Sequence, residues 1–138
     1  MDIHDSLRQI QQQFQGRFGD LFYRVFLEGD SDVQHYFRDT NLDHQAIILM
    51  NALHVIVSHY TQGFPATEAY LKILGNRHFH RQRIPREMYG KFRDALLVAL
   101  AQFHQADWNP ELAGQWREAI DQATQTMLAG YVDGHLVV

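Results

Sequence analysis

The sequence predicts an all-α protein. Apolar residues recur every three or four positions along most of the 138 residues, the period of a helix with one buried face. No alternating apolar and polar run of useful length points to a strand. Helix stop and start signals punctuate the pattern at Gly29-Asp30-Ser31, Gly63-Phe64-Pro65, Pro85 and Asn109-Pro110-Glu111. These signals divide the chain into about six long helices and one short one.

Ile3, Leu7, Ile10 and Phe14 define the first helix, over Asp2 to Phe14, with glutamines on its wet side. It is expected to pack on the last two helices. A bend near Gly16 separates it from a strongly aromatic helix over Arg17 to Leu27, which carries Phe18, Leu21, Phe22, Val25 and Phe26. Gly29-Asp30-Ser31 ends that helix and caps the next. Asp32 to Phe37 reads as a short helix with Val33, Tyr36 and Phe37 inward. Asn41 or Asp43 then caps a long helix from Asp43 to Tyr60. Its apolar residues (Ile47, Ile48, Leu49, Met50, Leu53, Val55, Ile56, Val57) are too many for one stripe, so it is buried on more than one side.

The next helix starts at Ala66 or Thr67 and reaches His78. Pro85 fits the first turn of a helix, where its missing N–H costs nothing. Tyr89, Phe92, Leu96, Leu97, Leu100 and Phe103 repeat on that helix's inner face. Asn109-Pro110-Glu111 opens the last helix with a capping side chain, a proline and an acid in order. Leu112, Trp116, Ala119, Ile120, Ala123, Met127 and Leu128 form its stripe. Residues 132–138 read as a loose tail on one domain spanning 1–138.

Composition excludes several function classes. The chain has no cysteine, which removes disulfides, thiolate metal sites and cysteine nucleophiles together. Net charge is −4 and no basic run stands out, so nucleic acid is not an expected partner. No apolar run reaches the roughly 18–20 residues of a bilayer span, and Met1 to Asp5 lacks the basic-then-apolar order of a secretory signal. A cytoplasmic protein with no membrane partner is the expectation. No Gly-rich phosphate loop, nucleophile elbow or paired-carboxylate site emerges. The nine histidines invite a metal or cofactor reading. His4, His35, His44, His54, His59, His104 and His135 show no chelating spacing and read as mostly solvated.

Several stretches, in order, resemble the globin family over residues 3 to 131. Leu21-Phe22-Tyr23-Arg24-Val25-Phe26 resembles the second helix of bacterial globins of the flavohaemoglobin and globin-sensor type. His35-Tyr36-Phe37 resembles the corner with the haem-stacking phenylalanine. Gln45-Ala46-Ile47-Ile48-Leu49 resembles the distal helix, and Leu74-Gly75-Asn76-Arg77-His78 the proximal helix. Ile84-Pro85 with Tyr89, and then Trp116, continue the match. The resemblance implies a globin fold, with helices crossing at about 50°, and haem b as cofactor.

On that resemblance His78 ligates the iron. Taken alone, a single histidine is more often a surface residue than a ligand. His80 cannot share the task, since two residues turn a helix by about 200°. Tyr23 and Gln45 face the gas, and Phe22, Phe37, Leu49 and Leu53 wall a dry pocket, with Phe37 stacking on the porphyrin. Two registers stay open on the distal helix. Gln45 with Leu49 is preferred because Gln45, Leu49, Leu53 and Ile56 share one face. His44 with Ile48 would place a second histidine over the iron. Arg77 and Arg81 are candidates for the haem propionates. Tyr89 matches the tyrosine that engages the proximal histidine. The carboxylate that accompanies it in flavohaemoglobins falls here at about Tyr131, so a strong electron push onto the iron is not expected.

The function implied is reversible binding or transport of oxygen, with carbon monoxide and nitric oxide as further ligands. Nitric oxide dioxygenase chemistry is the associated activity, with Tyr23 and Gln45 as its catalytic residues. It needs a separate reductase, since no flavin site is present. The alternative is a haem-based gas sensor domain cut from a longer signalling protein. A third is a haem-free all-α interaction protein. Monomer and homodimer are both open.

Overall fold

The computed structural model describes residues 1–13 and 17–132. Among them are seven α-helices and no strand: α1 Ile3–Gln12, α2 Arg17–Leu27, α3 Ser31–Tyr36, α4 Leu42–Thr61, α5 Pro65–His80, α6 Glu87–His104 and α7 Pro110–Val132. A 3-10 turn, Gln105–Asp107, joins the last two. The expected bend at Gly16, the inward Phe14 and most of the tail lie outside the described residues.

The capping signals act largely as the sequence implied. Asn41, not Asp43, caps α4, its side chain accepting from the N–H groups of Asp43 and His44 at 3.0 and 3.2 Å. Asp30, within the expected Gly29-Asp30-Ser31 signal, caps α3, which starts at Ser31, one residue earlier than expected. α5 starts at Pro65 itself, because proline suits a first turn whose N–H groups have no partner. Pro85 instead lies just outside α6, in a turn closed by the Met88 N–H on its carbonyl at 3.1 Å. Tyr36 is 37% exposed rather than inward, leaving Val33 as the buried anchor of so short a helix.

Two close helix crossings shape the molecule. A Cβ on Gly19 of α2 would overlap the side chain of Ala46 on α4, so α2 and α4 meet nearly backbone to backbone. A Cβ on Gly75 of α5 would strike the carbonyl of Met127 on α7, and one on Gly130 of α7 would strike the carbonyl of Lys72. The second crossing is pinned by Asn76, whose side-chain amide donates to the Gly130 carbonyl at 3.2 Å. α5 therefore lies along α7 and touches α4 little. The core between these pairs is apolar, with Phe22, Leu53, Leu96, Leu100, Leu112, Trp116 and Ile120 almost fully buried.

α1 packs mainly on α4 and less on α7, not on the last two helices together as expected, and it meets α6 at the Ser6–His104 contact. Trp116 Nε1–H donates to Ser6 Oγ at 2.9 Å, and the same oxygen lies 2.6 Å from His104 Nε2. His104 Nδ1 is buried with no hydrogen-bond partner among the described residues. His104 is thus a core residue, not a solvated one, and His59 is half-buried, its Nδ1 likewise without a partner among the described residues. Burial pushes the His104 pKa below its usual 6.5, and Asp107 opposes this only in part.

That shift has a sign. The folded chain binds fewer protons at His104 than the unfolded chain does, so its contribution is complete above pH 6.5 and is lost as pH falls below it. Urea unfolding on either side of that pH should show the wild type losing more stability in acid than a His104→Gln variant. Equal losses in the two proteins would contradict the assignment.

Candidate functional site

The α2–α4 crossing sets one side of the site. Tyr23 stands one turn after Gly19, and Gln45 immediately precedes Ala46, so the crossing brings the two together. The Tyr23 hydroxyl donates to the backbone carbonyl of Gln45 at 3.4 Å, not to its side chain. A hydroxyl contact of that length is weak. Burial pushes the Tyr23 pKa up to about 12, so the phenol keeps its proton. Its ring packs against Phe22 and Phe37, with centroids 4.9 and 5.6 Å away.

Phe22 is fully buried and also meets Phe26 and Phe92. Phe37 is half-buried and closes the cluster against Phe26. Phe26 and Phe92 are wall residues that sequence reasoning placed in the core without connecting them to the site. On α4, Leu49 and Leu53 are buried while Ile47 and Ile48 are 64% and 44% exposed. Gln45 is half-buried and His44 exposed.

The α5–α7 crossing sets the other side. Gly75 lies one turn before His78, and Gly130 directly precedes Tyr131, so the close approach carries both side chains toward α6. His78 Nδ1 lies 2.9 Å from the Tyr89 hydroxyl. The Tyr131 hydroxyl lies 3.1 Å from that of Tyr89 and donates to the Ile84 carbonyl at 2.9 Å. Sequence reasoning located residue 131 but expected from it only a missing carboxylate. Burial lowers the His78 pKa, so the ring is neutral at neutral pH, and no hydrogen bond among the described residues engages its Nε2. His80 is exposed, and Arg77 and Arg81 are exposed without ion pairs among the described residues.

A buried aromatic and aliphatic wall on α2 and α4 thus stands with a neutral histidine on α5. The histidine is held at one ring nitrogen, and no hydrogen bond among the described residues engages the other. The family model of globins matches residues 19–127. The chain belongs to the globin family. Its structure is similar to the crystal structure of a protein from Pseudomonas aeruginosa PAO1 that is described as structurally highly homologous to a human hemoglobin. The two share 25% sequence identity over 94% of this chain and 98% of that one, with a TM-score of 0.79. No curated protein matches this globin significantly by sequence. No described helix is long and apolar enough to cross a membrane.

Globins typically bind haem, and the residues of this globin fit that group. A haem ligand must offer an unprotonated ring nitrogen while the other is held by a partner. His78 meets both conditions through its lowered pKa and its contact with Tyr89.

Proposed function

We propose that this globin holds haem b between α4 and α5, with His78 as the iron ligand, and binds diatomic gases reversibly on the side of Tyr23. The observation that carries this reading is the half-buried, neutral His78 engaged at Nδ1 by Tyr89. When bound, the haem iron supplies a coordination position for oxygen, carbon monoxide or nitric oxide.

The chain's own residues divide the remaining work. Tyr89 fixes the plane of the His78 ring. Phe22, Leu49 and Leu53 exclude water, and Phe37 stacks on the porphyrin from the corner after α3. Burial of Leu49, with Ile48 exposed, supports the Gln45 register over that of His44. Tyr23 is the donor to the gas. Its proton is only loosely held by the Gln45 carbonyl, so a better acceptor within reach takes it by rotation of one hydroxyl. The Gln45 amide is the second donor on that side.

Reversible binding stands ahead of nitric oxide turnover because the group behind Tyr89 is a phenol, not a carboxylate. A neutral partner leaves His78 a neutral ligand. Nitric oxide dioxygenation by Tyr23 and Gln45 with a separate reductase is the lesser reading.

A hydrogen bond from Tyr23 to a gas ligand bearing partial charge contributes roughly 1.5–3 kcal/mol, a factor of about ten to a hundred in dissociation rate. Stopped-flow measurement of oxygen release should therefore show Tyr23→Phe releasing oxygen faster by that factor, with the Soret band kept. An unchanged rate would remove Tyr23 from the distal side. A protein with no Soret band after addition of haem would remove the reading as a whole.

A further inference from the structure

We propose that a groove at the corner between α5 and α6 is a second binding site, one that takes a planar ring carrying a phosphate, a ligand of mononucleotide size. The inference rests on this corner and not on the haem reading.

The groove has a volume of about 490 Å³, inside the range of about 300–1,000 Å³ typical of small-molecule sites. Buried Tyr131 and half-buried Ile84 form its floor, and Phe79 and Pro85 its apolar sides. Phe79 is 39% exposed, so its ring leaves open surface for a second ring. Exposed Arg83, Arg86 and His80 stand on the rim. None of Tyr23, Phe37, Gln45 or Leu49 lines the groove, so it is separate from the pocket proposed for haem.

The rim is cationic and unneutralised. Neither Arg83 nor Arg86 makes an ion pair among the described residues. The Arg86 guanidinium lies over the Tyr131 ring, 5.8 Å from its centroid. A guanidinium held by its face keeps its N–H groups for an anion in its plane. Four arginines fall between Arg77 and Arg86 with no acid among them, in a chain whose net charge is −4. Spaced singly, they make no run in the sequence, but the groove brings two of them to one rim. Two guanidiniums suit a dianion, and a phosphate monoester carries nearly two charges at neutral pH.

The backbone gives an independent sign. Arg83 has φ +53°, a conformation natural to glycine and costly to a residue with a Cβ. The corner holds it there, with the Ile84 N–H donating to the His78 carbonyl at 2.9 Å and the Gln82 N–H to that of Arg77 at 3.3 Å. Strain of this kind clusters at ligand clamps. Here it sets a guanidinium where glycine would be relaxed.

The test is calorimetric titration of the full, haem-loaded chain with adenosine monophosphate, adenosine and inorganic phosphate. The nucleotide should saturate at one per chain. Adenosine lacks the dianion and phosphate lacks the ring, so each should bind at least about tenfold more weakly. Arg83→Gly should be no less stable than wild type, since glycine relaxes the backbone at this φ. It should nevertheless bind the nucleotide about tenfold or more weakly, and Arg86→Ser likewise. Arg117→Ser, exposed on α7, should leave binding unchanged.

No nucleotide binding, equal binding of phosphate alone, or binding that survives both Arg83→Gly and Arg86→Ser would overturn the proposal. A dimer in sedimentation that Arg83→Gly breaks apart would also overturn it, giving the groove to a second copy of the chain. A chain that takes up no haem would sink the functional reading instead, and the same titration without haem would still decide this site.

Discussion

Gly75→Ala is expected to destabilise this globin by about 3 kcal/mol or more, the upper end of what overpacking costs. The substitution is favourable on helix propensity by about 1 kcal/mol, so sterics must outweigh it. They do so because the added Cβ meets the Met127 carbonyl, which is backbone and cannot rotate away. The only relief is separation of α5 from α7. That motion would stretch the Asn76–Gly130 bond and draw His78 out of line with Tyr89 and Tyr131. Haem uptake should weaken along with stability.

Gly114→Ala is the matched control. Gly114 also lies in a helix, α7, but nothing stands within 4 Å of a Cβ placed there. It should gain up to about 1 kcal/mol. Urea unfolding of the two variants should move in opposite directions. A Gly75→Ala protein as stable as wild type would show that α5 and α7 do not cross as closely as described.

The contrast between these glycines also marks what the sequence could reveal. Both sit inside apolar periodic stretches and look alike there. Only the fold shows that Gly75 and Gly130 face each other's helix backbones while Gly114 faces open space. Caps and breaks were legible because they act within a few residues: Asn41, Asp30 and Pro65 work by local hydrogen bonding and fixed φ. The apolar faces were legible for the same reason, through the helical period. Partnerships across the fold were less so. Ser6 and His104 lie far apart in the chain, and nothing local announces that a histidine will meet the hydroxyl of a serine that also accepts the indole N–H of Trp116. Tyr36 was misjudged because a six-residue helix buries one side chain, not three.

The candidate site was readable in part. His78, Tyr89 and Tyr23 came from the resemblance and not from spacing, since a lone histidine and two tyrosines carry little signal by themselves. Tyr131 was visible as a departure from the family pattern. Its contact with the Ile84 carbonyl depends on how the corner after α5 folds back on His78, which the pattern of side chains does not encode.

His78→Gly has the largest expected effect on function. The variant loses the one nitrogen on α5 that is neutral, half-buried and held at its other end by Tyr89. Exposed His80, about 200° away around the helix, cannot replace it. Partners that merely orient a metal ligand change affinity by about 10–100-fold, so loss of the ligand itself should exceed about 100-fold. The cavity left by the missing ring is the size of free imidazole, which should restore the bond.

The measurement is the absorption spectrum of the reduced protein, with and without carbon monoxide, for wild type, His78→Gly, and His78→Gly in the presence of imidazole. A Soret band that shifts with carbon monoxide in wild type, fades in the variant and returns with imidazole is the predicted result. A variant that keeps the full wild-type spectrum without imidazole would show that another residue holds the iron, and would contradict the account.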